Sequence, residues 1–388
     1  MQGHTAVNLE TEPMTRAVEA RLVRHREEWN AIVLAMPRPD FRQSWQWGAL
    51  RASRGWTVWR VAVGAEECLA AAQVLGRRVP GLGVVLYAPR GPLVSAGDAG
   101  WRALPSLLQR IRVETGAVFL RSSPGVRLED AVGLAPLEGL GFARLPDLWS
   151  LWNTPRNLMR LDLTGSERDL LGRMSRKRRQ HISTGGRKGV AVEVVTGLTA
   201  LRTFHELHGA HGRREGYPVP PWPALEALHR EFGVDDGLAI LRGSVRGELA
   251  SMLVGLRFGP QAHTLYAAST PAARQAPVGD LLHWELMRWA RAAGCRELDL
   301  GSSCTDVPPT TTHANYGIYR FKCELGAHLT LCAGYYDHVF AATRYRVARR
   351  LELAALRMGH GALRRWGLAV FGEPDADAEV VRPVPPPS

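Results

Sequence analysis

Lys322 stands in the run NYGIYRFKCELGAHL, close behind Tyr316, Tyr319 and Phe321. A lysine carried by an aromatic, apolar turn can face charge that develops in a dry cleft, where such a cation contributes most. The competing reading is a surface lysine at a helix end. Arg214 lies in HGRREGYPVP, next to Arg213 and ahead of Gly216 and Tyr217, and Arg51 closes QSWQWGALR. Guanidinium groups fork onto phosphate oxygens, so both arginines suit a phosphorylated ligand. The densest basic run is Arg176, Lys177, Arg178 and Arg179, followed by Arg187 and Lys188. It would contact phosphates or form a solvated helix face. The formal net charge of +12, from 49 Lys and Arg against 37 Asp and Glu, suits a polyanionic partner such as RNA, a diphosphate or an anionic membrane face. A genome that writes arginine for lysine is the plainer explanation of the same surplus.

These residues need elements to hold them. Alternating apolar patterns predict strands at 17–23, 57–64, 69–75, 84–88 and 117–121, with helices at 25–36 and 98–114. Turn-rich stretches near Pro124 and over 146–155 then lead out of this unit. The order repeats afterwards. Thr164-Gly-Ser-Glu167 reads as a capping box opening a helix that runs to Ile182. A strand at 191–195, helices at 198–211 and 223–231, and a three-strand meander (LAILRG, ELASMLVGLRF, AHTLYAAS) follow. Leu282, Leu286, Trp289 and Ala293 give one helix face, and ELDLGSS a buried strand. Helices, a meander, a helix and a strand therefore occur twice. This is the order of two tandem acetyltransferase-like (GNAT) α/β domains with mixed sheets.

The expected division is a disordered lead-in over 1–20, in which Met14 is a second possible start. A first domain follows over 21–155, completed by about 334–345, and a second over 156–333. A basic amphipathic helix over 340–370, ending near Gly359–Gly361, and a disordered tail over 371–388 complete it. In that helix Phe340, Val347, Leu351, Ala354 and Met358 form an apolar face, with Arg346, Arg349, Arg350 and Arg357 largely opposite. It could lie against the inner membrane leaflet as a peripheral contact, touch tRNA, or pack on the first domain. Five cysteines without CxxC spacing fit a reduced compartment without disulfides or zinc. With no apolar run near ~20 residues and no signal peptide, the expected location is the cytoplasm.

Four segments together carry a resemblance: YAPRGPLV, MSRKRRQHISTGGRKGVAVEV, HGRREGYPVP, and LDLGSS joined to NYGIYRFKCELGAHL. In this order and spacing, with QSWQWGALR before them, they resemble the motifs of the Fem family of peptidoglycan-bridge aminoacyltransferases, from about Leu22 to His338. The resemblance implies that an aminoacyl-tRNA donates Gly, Ala or Ser to the side-chain amine of the stem-peptide diamino acid. The acceptor is a UDP-linked or lipid-linked muramoyl pentapeptide, and no cofactor or metal is implied. By the same resemblance Lys322 stabilises charge at the tRNA ester beside the Phe321 carbonyl, and Arg214 and Arg51 hold the diphosphate. Tyr217, Arg90, Tyr266 and Tyr316 complete the expected substrate wall, and Arg176, Lys177 and Arg179 the expected tRNA or phosphate contact.

The chain departs from the family pattern in two places. Ser95 stands where some relatives have an acid after Gly-Pro-x-x, and Arg90 where an aromatic precedes that glycine. An acid at position 95 therefore cannot deprotonate the amine. Asp299, in the buried LDLG strand, reads as the residue holding the turn that presents Lys322. The family's two-helix coiled-coil arm has no counterpart here. The rival reading is an acyl-CoA N-acyltransferase on the same fold. That chemistry usually needs a Gln/Arg-x-x-Gly-x-Gly/Ala loop, which ARQAPVGDLL does not supply. A third reading is an inactive RNA- or membrane-associated relative.

Overall fold

The computed structural model describes residues 19–64, 67–146, 157–302 and 309–358, the side chains of 131–133 and 355–358 excepted. The expected lead-in over 1–18, Met14, most of the turn-rich 146–155 stretch, Cys304, the Arg357 and Met358 side chains and everything past 358 lie outside the described residues.

The first unit comprises β1 (Ala20–Leu22), α1 (Arg26–Ala35), α2 (Trp45–Ala52), β2 (Thr57–Val63), β3 (Ala70–Val79), β4 (Gly83–Arg90), β5 (Leu93–Val94), α3 (Asp98–Thr115), β6 (Ala117–Pro124), α4 (Ala135–Gly139) and β7 (Phe142–Arg144). The second holds β8 (Asn157–Asp162), α5 (Glu167–Arg173), α6 (Arg176–Thr184), β9 (Val190–Val195), α7 (Gly197–Glu215), α8 (Trp222–Phe232), β10 (Leu238–Val245), β11 (Glu248–Phe258), β12 (Gln261–Ser269), α9 (Val278–Ala292), β13 (Glu297–Asp299), α10 (Tyr316–Glu324) and β14 (His328–Leu331). The chain then crosses back with β15 (Tyr336–Val339) and α11 (Ala342–Met358). One sheet runs β1-β2-β3-β4-β6-β15-β7, with β5 on β3; the other runs β14-β8-β13-β12-β11-β10-β9. The fold is mixed α/β with two acetyltransferase-like sheets, and α8 leads to β10 through Gly233–Gly237 without a helical arm.

Two local readings change. The helix expected from Thr164 to Ile182 is two helices, because Ser166, not Thr164, forms the capping box with Asp169. Met174 is extended, and Ser175 starts a new helix by accepting the Arg178 N–H. The Tyr-Gly-x-Tyr-x-Phe-Lys segment, expected as a turn, is the helix α10.

The two sheets differ where it matters for a ligand. In the first, the parallel pair β4 and β6 stays joined from Val84↔Ala117 to Arg90↔Pro124. In the second, the parallel pair β12 and β13 is joined only from Gln261↔Glu297 to His263↔Asp299, while β12 runs on to Ser269. A bulge in β12, at the shift from Val254↔Tyr266 to Gly255↔Thr264, re-aims the strand just beyond the join. Parted parallel strands leave edge groups of β12 unpaired with β13 beyond the join.

The units share one core. Trp29, Val33, Phe41 and Trp47 of the first pack with Phe204, Phe232, Leu256 and Tyr266 of the second. Phe41 meets Phe232 and His263 edge-on at 6.5 and 4.6 Å between ring centres. Gln43 pins the turn that carries Phe41, donating to the carbonyls of Pro89 (2.7 Å) and Gln73 (3.2 Å).

Candidate active site

Lys322 is 3% exposed on α10, beside the parted strands. Its placement begins with Asp299, the last residue of β13, whose Oδ1 accepts the Gly301 N–H at 2.7 Å. Gly301 has φ of +76°, a conformation glycine adopts without strain. The turn so formed presents the Ser302 carbonyl, which accepts a hydrogen bond from Lys322 Nζ at 2.8 Å. The Phe321 carbonyl accepts the Leu325 N–H at 3.1 Å, as part of the helix end.

The Phe321 side chain is held from both sides. His283 meets its ring edge-on at 5.2 Å, and the Arg178 guanidinium lies over it at 4.6 Å. Burial pushes the His283 imidazole down to about 4, so the ring is neutral. Its Nδ1–H then donates to the Gly279 carbonyl at 2.7 Å. Arg178 also donates to Glu324 on α10 (2.9 Å) and to Asp280 on α9 (2.9 and 3.2 Å). Asp280, 3% exposed, takes His181 Nδ1 at 2.8 Å as well. Of the basic run, Arg178 is thus the residue turned inward, although Arg176, Lys177 and Arg179 were the expected contacts. Those three are exposed, and Arg179 donates to the Met174 carbonyl at 2.5 Å. Sequence could not separate four consecutive cations. The one usable signal was Ser175, whose capping role fixes where α6 begins.

A second cluster forms where α7 meets the end of β12. Arg214 Nη2 donates to the Ser269 carbonyl at 2.8 Å and to His211 Nδ1 at 2.9 Å, while Nε reaches Glu215 at 3.1 Å. The Ser269 N–H also donates to His211 Nδ1, at 3.1 Å. His211 Nδ1 also lies 3.0 Å from the Ser269 carbonyl. Gly216, at φ of +78°, caps α7 and turns the chain back, so Tyr217 lies 5.7 Å from His211 and 5.9 Å from His208. Tyr266 meets His208 at 5.5 Å. Burial pushes His208 down to about 4, leaving it a neutral ring in an aromatic stack. The structure therefore gathers Arg214, Tyr217 and Tyr266, and adds His208 and His211, which sequence reading passed over.

Arg51 is 4% exposed, with its guanidinium over Trp56 at 5.1 Å and Trp47 at 5.7 Å. Tyr316, partly buried at the start of α10, leans on Tyr319 at 5.9 Å.

Arg90 lines a cavity of about 380 Å³ in the first unit, with Arg38, Ser95, Trp101, Gly125 and Leu137. Its φ of +56° is unusual for a side chain other than glycine, and such strain gathers at functional positions. Behind the cavity, Arg90 Nε lies 3.9 Å from Asp40. Burial alone would raise the Asp40 carboxyl, but Arg42, His263 and Arg90 hold it below the usual range. An acid so stabilised is a poor base.

Comparison with known proteins settles the type of fold. The family model of the acetyltransferase (GNAT) domain matches residues 172–322. The chain is 22% identical over 399 residues to the lipid II:glycine glycyltransferase of Staphylococcus haemolyticus, covering 84% of this chain and 94% of that protein, and equally to its Staphylococcus aureus counterpart. The crystal structure of FemX superposes with a TM-score of 0.78 at 20% identity, over 85% of this chain and 99% of that one. The chain shares the fold of FemX over most of its length. A more distant match, the C-terminal domain of a putative lysylphosphatidylglycerol synthetase from Agrobacterium fabrum, reaches a TM-score of 0.50 at 15% identity, over 86% of this chain and 98% of that one. At the start of α9, the kind of helix N-terminus that can cradle a pyrophosphate, Asp280 stands in the first turn, paired with Arg178 and His181.

Proposed function

We propose that this protein transfers an aminoacyl group from aminoacyl-tRNA to the stem-peptide amine of a lipid-linked peptidoglycan precursor. Glycine is the residue the named relatives transfer; alanine and serine are the alternatives, and a UDP-linked precursor is the alternative acceptor. The observation that carries the reading is Lys322, buried and bonded to the Ser302 carbonyl beside the parted strands β12 and β13. The substrate amine, as its neutral form, attacks the ester carbonyl carbon, and Lys322 Nζ stabilises the oxyanion that forms. The intermediate collapses to an amide, the ester C–O bond breaks, and the amine proton leaves with the ribose hydroxyl. Arg214, with Tyr217 and Tyr266 around it, binds the acceptor's diphosphate. Arg90 and the cavity it lines receive the stem peptide. The exposed Arg176, Lys177 and Arg179 contact tRNA phosphates, a role that supplies affinity rather than chemistry.

The test is to incubate the protein with tRNA charged in turn with glycine, alanine and serine, plus lipid-linked or UDP-linked precursor, and to weigh the product. A mass gain of one residue with one charged tRNA is expected. No gain with any of them, together with acetylation from acetyl-CoA, would overturn the reading in favour of an acyl-CoA enzyme.

A further inference from the structure

Helix α11 is fixed to the first sheet by its polar side. Arg121 on β6 is fully buried and donates to Asp337 of β15 through Nε and Nη2, each at 2.8 Å, and to Glu352 of α11 at 3.0 Å. Tyr345 of α11 donates to the same Asp337 at 2.9 Å, Ala348 is buried beside it, and Arg349 pairs with Glu352. A buried guanidinium shared by two carboxylates sets the rotation of the helix, since turning it would leave charges unpaired. The consequence lies on the other side. Val347 is 48% exposed and Leu351 40%, with Ala354 exposed one turn further on. At 100° per residue these three form one stripe facing away from the sheet, with Arg346 and Arg350 on one flank and Arg344 on the other, all three exposed.

We propose that this face of α11 docks the protein on an anionic lipid surface. Lipid headgroups reward the arginines, and the boundary beneath them rewards the apolar stripe. RNA phosphates would reward the arginines but gain nothing from Val347 and Leu351. The proposal stands on α11 alone. Arg349, which was expected among the outward arginines, is turned toward Glu352 and takes no part.

Vesicle flotation of the full chain without substrate tests this separately from transfer. Phosphatidylglycerol-containing vesicles should carry the protein up, and pure phosphatidylcholine vesicles should not. The double variant Val347→Ser, Leu351→Ser should bind at least tenfold more weakly at unchanged Tm, since both side chains are exposed. Arg346→Ser with Arg350→Ser should lose affinity most at low salt. Equal flotation of the serine double variant would overturn the proposal, as would failure of the unaltered protein to float. It would also be overturned if that variant lost affinity for uncharged tRNA while still binding vesicles.

Discussion

The Arg178 guanidinium lies 4.6 Å above the ring of Phe321, the residue that precedes Lys322. One side chain of α6 thereby ties together Phe321 and Glu324 of α10 and Asp280 of α9. Replacing Arg178 by methionine keeps the bulk but leaves Asp280 buried with only His181. Stability should fall by on the order of 3 kcal/mol, and kcat should fall with it. Arg178→Lys should restore part of the stability, less of the turnover, because a lysine cannot fork between two helices. Thermal melting and single-turnover kinetics of both variants check this. Equal recovery of stability and turnover by lysine would assign Arg178 to packing alone.

Lys322→Met should lower turnover by ~2–4 kcal/mol of transition-state stabilisation while precursor binding stays near normal. The measurement is kcat and KM for the precursor at saturating aminoacyl-tRNA. Near-normal turnover would remove Lys322 from the chemistry.

Arg214 and Arg51 should separate cleanly. Arg214→Ala should raise KM for the precursor about tenfold or more, from loss of charge-assisted bonds of ~1.5–3 kcal/mol. Arg51→Ala should leave that KM unchanged and destabilise the fold by about 1–2 kcal/mol, from lost stacking on Trp47 and Trp56. A raised KM in Arg51→Ala at unchanged stability would return Arg51 to the binding site.

Stability should fall as pH drops below 6.5. His263 is buried between Phe41 and Asp299, and burial pushes its imidazole from 6.5 to about 4. The unfolded chain therefore takes up its proton near pH 6.5, whereas the folded one does so only near pH 4. Between those values protonation favours unfolding, and above 6.5 the group has no effect. At pH 5 this costs ~2 kcal/mol for a fully buried imidazole. Urea midpoints of the unaltered protein and His263→Gln at pH 7 and pH 5 test it. The gap between the two pH values should narrow in the variant; an unchanged gap would show that His263 does not carry it.

Much of this protein is legible in its sequence, because apolar periodicity and turn chemistry are local. The repeated order of helix, meander, helix and strand and the placement of Asp299 before Gly301 came from neighbours along the chain, and the candidates Lys322 and Arg214 from the resemblance of their motifs. What sequence left open depended on which side of an element meets another. Arg178 and Arg179 are adjacent, yet Arg178 meets Asp280 and Phe321, because Asp280 of α9 holds the side of α6 that carries Arg178 and His181. Arg51 reads as a phosphate ligand, and its stacking on Trp47 and Trp56 comes only with the fold. The stripe on α11 was visible as a pattern, but its outward direction follows from Arg121, which lies 231 residues from Glu352 in sequence and in contact with it in space. Periodicity fixes which residues share a face; only the buried charges and rings of distant segments decide what that face meets.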